Sequence, residues 1–449
     1  MKFDQRDAAA GLHRASRRRV RMTLGARRCW SSITPAAIVV VLGLLTAGSL
    51  LESRIQAAEP RPGIFNPLHE YDTRPVDDRF SRYLANLETG DAKLDTSNEQ
   101  AMLVGLLKDL EVPVNSQMLV YTATSLQKGL ISPRNPRALY FNDDTYVGFV
   151  PGGRVEVVSL DPTLGGVFYL FDRLQPGRQP TVRRTSDCMN CHAPRHMDNV
   201  PGLVIESVIP GMTGGGERAF RREQSGHQVP LADRFGGWHL TGTGPALTKH
   251  WGNLLIERKN GEAKELPNPP GERFDLSRYP VPTSDLLAQL LHEHQAGFIN
   301  RALRAGYRYR ELAAAGDVGG ETIAELSQPI VDYLLFKDEA SLTPGMIGES
   351  PLAADLRLSA KRDASGRSLR DLDGKTRLLR YRCSYMIYSP TFTGLPDPVR
   401  QRVLIDLAAK LQEPADESHL PAEERAALHA ILTETLPEYA ELAGSRAAE

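Results

Sequence analysis

Three hydrophobic patterns succeed one another along the 449 residues. The first is an unbroken uncharged run, residues 29–51, which contains AAIVVVLGLL. After it, residues 59–95 are rich in Pro, Arg and Asp and predict an irregular lead-in. SNEQAMLVGLLKDL then places Met102, Leu103, Leu106, Leu107 and Leu110 at helical spacing, with Ser97 and Gln100 three apart as a capping box. From Ala138 the period drops to two. ALYF, TYVGFV, RVEVVSL and GVFYLFD are short β-rich runs divided by NDD, PGG and DPTLGG, the pattern of an antiparallel meander. GLVIESVI and GWHLTG predict further strands.

Beyond residue 282 the helical period returns. SDLLAQLLHEHQAGFINRALRAGYRYREL is one long amphipathic pattern with Ser284 and Asp285 at its start. DPVRQRVLIDLAAKLQ and PAEERAALHAILTETL predict two more helices, the second with Pro421 at its first turn. The fold class expected is α+β: an antiparallel sheet region leads into the segment around residue 190, and a mainly helical C-terminal half follows. The expected parts are a leader over 1–58, a sheet-rich region over 59–258, a linker over 259–280 (charged, with LPNPPGE) and a helical region over 281–449.

Charge separates the leader from the body. The formal net charge is −1, but residues 1–58 hold 10 of the 54 basic residues and 3 of the 55 acidic ones, so the body is acidic by 8. That balance argues against nucleic acid and fits a basic partner. The Arg-rich start, the 23 uncharged residues of 29–51 and the small residues of RIQAAEP have two readings. One is a cleaved signal peptide; the other is an uncleaved helix anchoring the chain at the inner membrane. Both place the body in the periplasm or otherwise outside the cytoplasm, and an uncleaved leader would make the membrane surface a partner.

The four cysteines are Cys29 in the leader, Cys188 and Cys191 in CMNCH, and Cys383. Cys383, in YRCSYMIYSP, reads as a buried structural thiol. The CMNCH pattern, within RRTSDCMNCHAPRH, occurs once. Two thiols at this spacing suit thioether bonds to the two vinyl groups of a c-type haem, and His192 beside the second suits iron coordination. Zinc would require a second Cys or His pair, and none follows at ligand spacing. A dithiol redox centre would require a βαβ setting, and Pro194 comes too soon after the motif for one.

Through CMNCH the sequence resembles c-type cytochromes. The wider stretches SPRNPRALYFNDDTYVGFVPGG, GGWHLTG and RCSYMIYSPTF resemble a group of large single-haem bacterial proteins. The resemblance implies one covalently attached haem c, held by Cys188 and Cys191 with His192 on the iron. Small soluble cytochromes add a Met some sixty residues later, whereas here no Met lies between Met212 and Met346 and the window holds His239 and His250. At 100° per residue, His294 falls among Leu287, Leu291 and Phe298, and His292 falls on the opposite face. His294 and His250 are therefore the candidates for the sixth iron ligand, with a satisfied core histidine as the plainer reading of His294. His196 is too close to His192 to reach the other face of one haem, His227 sits in a polar loop expected to be exposed, and Asp143 and Asp144 read as a turn. The expected function is electron transfer with a redox partner protein. The alternatives are a peroxidase-like haem oxidoreductase with an open distal site, and a haem-based redox or gas-binding module.

Overall fold

The period-two runs after Ala138 form the frame of the molecule. The computed structural model describes residues 62–175, 177–221, 224–247, 250–414 and 418–446. The expected leader, with Cys29 and the 29–51 run, lies outside them. Two helices come first, α1 (Arg79–Thr89) and α2 (Glu99–Asp109). The strands β1 (Met118–Val120), β2 (Arg137–Phe141), β3 (Thr145–Phe149), β4 (Val155–Asp161), β5 (Gly165–Phe171) and β6 (Val182–Arg184) follow. They lie side by side in chain order, each antiparallel to the next. Between β2 and β5 the short turns permit little else, because parallel neighbours need long crossovers.

Side chains alternate across the sheet, so its two faces meet different partners. Ala138, Tyr140, Val147, Phe149, Val157, Val167, Tyr169 and Phe171 share one core with Phe80, Tyr83, Leu103 and Leu106 of α1 and α2. On the other face, Phe141, Tyr146 and Leu160 join the core built by the C-terminal helices. The motif forms a single turn, α3 (Met189–His192), directly after β6. Two hairpins follow, β7 (Ser207–Pro210) with β8 (Gly216–Arg221) and β9 (Leu254–Lys259) with β10 (Glu262–Pro267).

The long helix α4 (Leu286–Ala315) starts where the pattern placed it. Asp285 caps it by accepting from the Leu287 N–H at 2.8 Å, and Gly316 ends it with a left-handed φ of 78°. Every residue from Leu286 to Asn300 is buried. Around it stand α5 (Gly320–Leu334), α6 (Leu352–Leu358), α7 (Pro390–Thr393), α8 (Asp397–Gln412), α9 (Ala422–Thr435) and α10 (Pro437–Arg446).

The structure differs from the sequence expectation in four places. The lead-in 59–95 contains α1, whose capping box is Asp78 with Ser81. The cap of α2 is Asn98, one residue beyond Ser97, because its Oδ1 accepts from Ala101 N–H at 2.9 Å. GLVIESVI is strand only from Ser207, and GWHLTG forms only isolated bridges, Trp238 to Val120 and Thr241 to Asp285. The stretch 259–280 holds most of the second hairpin and buries Phe274 and Tyr279, whose hydroxyl donates to Pro136 O at 2.7 Å. Pro60–Glu449 accordingly forms one compact unit.

Asp78 joins helix to sheet. Its carboxylate accepts from Ser81 N–H at 2.8 Å and from the Tyr169 hydroxyl at 2.6 Å, and the residue is buried. Asp78→Ala removes a cap and leaves a buried hydroxyl unpaired, at a cost of about 2–4 kcal/mol. A urea titration should show a lower midpoint with an unchanged slope. An unmoved midpoint would mean that α1 does not fold with the sheet.

Candidate functional site

The CMNCH segment winds into one helical turn because Cys191 N–H and His192 N–H both donate to Cys188 O, at 3.1 and 3.0 Å. Residues three and four apart share a helix face, so Cys188, Cys191 and His192 project to one side. All three line the same pocket, which encloses about 1310 Å³ of empty space with its open mouth included. The thiols are free of disulfides; Cys191 is exposed and Cys188 is partly buried. Burial pushes the Cys188 thiol up to about 12, with the Glu156 carboxylate adding to the effect.

His192 is fixed from behind. Its Nδ1 lies 3.0 Å from Gly202 O, and Gly202 N–H donates to His192 O at 2.9 Å. The carbonyl can only accept, so Nδ1 carries the proton and Nε2 is left as the basic nitrogen. Burial holds the imidazole below the usual histidine range, against a smaller upward pull from the Gly202 carbonyl. The ring packs 4.7 Å from Phe168.

The segment carrying Gly202 is clamped in turn. Leu203 N–H donates to Asn300 Oδ1, and Asn300 Nδ2 donates to Leu203 O, both at 2.9 Å. Asn300 belongs to α4, so the buried helix holds the loop that holds the imidazole. A Cβ at Gly202 would collide with Asn300 and Met197, which is why glycine stands there.

The pocket floor is the sheet. Tyr146, Val158 and Phe168 form one cross-strand row, and Leu139, Gly148, Glu156 and Leu170 form the next. Arg137 lies across Gly148, where a Cβ would stand 2.6 Å from its Nη2, and pairs with Glu156 at 2.7 Å. Arg137 Nε is buried and has no hydrogen-bond partner. The remaining walls include Val120, Leu203, Val208, Trp238 and His292. This arrangement can hold a flat apolar molecule, bond it through two sulfurs, and offer a neutral nitrogen to a metal.

His294 does not face this pocket. It is fully buried, with Nδ1 2.8 Å from His227 Nδ1 and Nε2 2.7 Å from Ser384 Oγ. Both ring nitrogens are therefore spent, and the plainer reading, a satisfied core histidine, is correct. The residue expected on the opposite face, His292, lines the pocket instead. The helical projection failed because α4 is buried on every side, so its apolar stripe does not mark which face meets the sheet. His250 also lies outside the pocket wall; it is half-buried, with Nδ1 unpartnered. His227, expected to be exposed, is buried in a stack with Tyr333 and Phe336 at 4.0 and 4.4 Å. His196 is exposed.

The other sequence readings fall into place. Cys383 is fully buried, and burial pushes its thiol up to about 12. Asp143 and Asp144 form the expected turn, braced by Asn142 Oδ1 on the amides of Asp144 and Thr145 and by pairs to Arg370 and Arg79. Among the described residues no group of three or more His, Cys, Asp or Glu could hold a metal ion. No family model, curated protein or solved structure matches the chain.

His239 gives a pH prediction. It is fully buried against Tyr121 and Phe274, its ring nitrogens have no partner, and burial lowers it to about 3. The folded pKa lies below the unfolded value of about 6.5, so the unfolded chain binds the extra proton as pH falls. Stability from this group is whole above about pH 6.5 and drains at about 1.4 kcal/mol per pH unit below it. Denaturant midpoints from pH 7.5 to 4.5 should fall more steeply for the native protein than for His239→Leu. Parallel curves would refute the account.

Proposed function

We propose that the protein carries one covalently attached haem c and transfers electrons through it outside the cytoplasm. The observation that carries this reading is the CMNCH turn, which directs two free thiols and a tautomer-fixed neutral imidazole into one apolar pocket. Cys188 and Cys191 would form the thioethers, and His192 would bind the iron through Nε2 while Gly202 O holds Nδ1. The Gly202 bond raises the basicity of the imidazole and keeps its ring from turning.

The pocket suits the group in three further respects. Val, Leu, Phe and Trp form a large part of its walls, and its floor is opened by Gly148, over which Arg137 lies. Arg137 Nε is a buried donor still without an acceptor, as the carboxylate of a haem propionate would require. Zinc is less well served, because among the described residues no group of three or more His, Cys, Asp or Glu is placed to hold a metal ion. The bound haem would supply one-electron redox chemistry. The chain's own part is to orient the axial nitrogen, exclude water from the face against the sheet, and set the local charge through Arg137 and Glu156.

The body's acidic excess of 8 suits a basic redox partner. Export follows from the leader pattern and from the site of c-type attachment, on the outer side of the membrane. Among the described residues no helix is long and apolar enough to cross a membrane.

Covalent haem gives the direct test. The full chain, made in cells with haem-attachment machinery, should keep its haem through denaturation and acidified organic extraction. Cys188→Ala with Cys191→Ala should lose all of it. Haem that extracts freely from the native protein, or stoichiometric zinc in its place, would sink the reading. A reporter fused after residue 60 should be read outside the cytoplasm. The mass of the mature N-terminus separates cleavage near residues 58–59 from an intact anchor.

A further inference from the structure

We propose that a second cavity, behind the CMNCH loop, binds a small oxyanion through Arg301. Its lining includes His196, Ser225, Gln228, Asn300, Arg301 and Arg304, and it encloses about 950 Å³ of empty space with its open mouth included. Leu203 and Val204 line both this cavity and the pocket of the motif, so the segment after Gly202 is a partition between the two. The site stands or falls independently of the haem.

The side chains of the lining have donors to spare, while their acceptors are taken. Gln228 Oε1 accepts from Arg301 Nη2 at 2.8 Å, and Asn300 Oδ1 accepts from Leu203 N–H at 2.9 Å. Ser225 Oγ accepts from Asn300 Nδ2 at 3.1 Å, which leaves the hydroxyl proton to give. Arg301 spends one N–H on Gln228 and one on Gly297 O at 2.8 Å, out of the five a guanidinium carries. The others remain in the planar fork that matches carboxylate and phosphate oxygens.

Charge agrees with this donor excess. None of the described residues that line the cavity is acidic. Arg304 pairs with Asp198 at 2.8 Å, but among the described residues no carboxylate pairs with Arg301. Arg301 lies instead over the Tyr333 ring, 4.2 Å from its centroid, which attracts a cation without neutralising it. Burial holds Arg301 below its ordinary value, against an upward pull from Tyr333, and Arg304 adds to the lowering. The guanidinium stays charged all the same. A role in packing alone explains the Gly297 and Gln228 bonds and the Tyr333 stack; the uncompensated charge is what it leaves over. An oxyanion entering from solvent would supply the missing counter-charge and accept the spare N–H groups together. It would also tie α4 to the loop Ser225–Gln228 and to the turn at His196. Inorganic phosphate and a small organic carboxylate share this chemistry.

Calorimetric titration of the full chain, with inorganic phosphate and separately with succinate at constant ionic strength, tests the site. One of the probes should bind at a single site, and the tighter one names the source. Arg301→Gln should weaken that binding about tenfold or more, and Arg304→Gln about threefold. Arg82→Gln, on the exposed face of α1, should bind as the native protein does. Where Arg301→Gln does not fold, Ser225→Ala serves, with an expected loss of about threefold. A native protein that binds neither probe overturns the proposal, as does an affinity unmoved by these cavity variants or lowered equally by Arg82→Gln. Binding seen only in the haem-free Cys188→Ala, Cys191→Ala protein would assign Arg301 to the haem's own carboxylates, and overturns it too.

Discussion

The pair of hydrogen bonds between the Asn300 amide and the backbone of Leu203 is the constraint on which the site depends. The segment from Val200 to Ile205 has no strand partner of its own, yet Val200, Leu203 and Ile205 are buried. Its backbone groups need partners there, since an unpaired buried amide costs about 1–3 kcal/mol. Asn300 satisfies one donor and one acceptor at once, from a helix that cannot shift because its first four turns are buried. The position of Gly202 O follows from that clamp, and with it the tautomer and direction of His192. A motif of five residues is thus made specific by a side chain more than a hundred residues away.

Much of this was legible in the sequence where local chemistry decides local structure. The meander is written in period-two runs and turn residues, and the start of α4 in Asp285. The CMNCH spacing names the three residues of the turn. The helix α1 was hidden because only Phe80 and Tyr83 of its residues are buried, too few to set a period among Arg and Asp. The faces of α4 were hidden for the opposite reason. A helix enclosed on all sides buries Gln289, His292, Glu293, His294 and Gln295 alike, so polarity no longer marks the outside. Tertiary partners then choose between neighbours. Ser384 and His227 take His294, and the sheet takes His292.

The length of the chain acquires a physical reason on this architecture. A pocket floored by a sheet needs that sheet's other face covered, which α1 and α2 do. Its roof must be a helix held rigid, which requires the shell from α5 to α10 around α4. The cluster of His227, His294, Ser384 and Tyr333 belongs to that shell. Tyr333 donates to His294 O at 2.9 Å and accepts from His227 N–H at 3.2 Å, knitting α5 and the loop before Val229 onto α4. Burial keeps both imidazoles neutral, and holds His294 at about 3, so the cluster gives specific packing without burying a charge.

The charge that the site does bury is the pair Arg137–Glu156, and its placement would bear on the redox chemistry proposed for the site. The two side chains are largely shielded, 19% and 14% exposed, and stand on β2 and β4 with Gly148 of β3 between them. Gln127 Nε2 adds a second hydrogen bond to Glu156 at 3.1 Å, so the carboxylate is held by two donors. A buried pair that is charge-neutral overall disturbs the pocket little while both partners remain. An acceptor reaching Arg137 Nε would share the guanidinium with Glu156, leaving the local balance more negative and favouring the more positive state of a neighbouring metal. Gly148 is what lets the guanidinium lie flat enough against the sheet to be reached by such a group. The floor of the pocket therefore sets its field as well as its shape, through a residue whose contribution is the side chain it lacks.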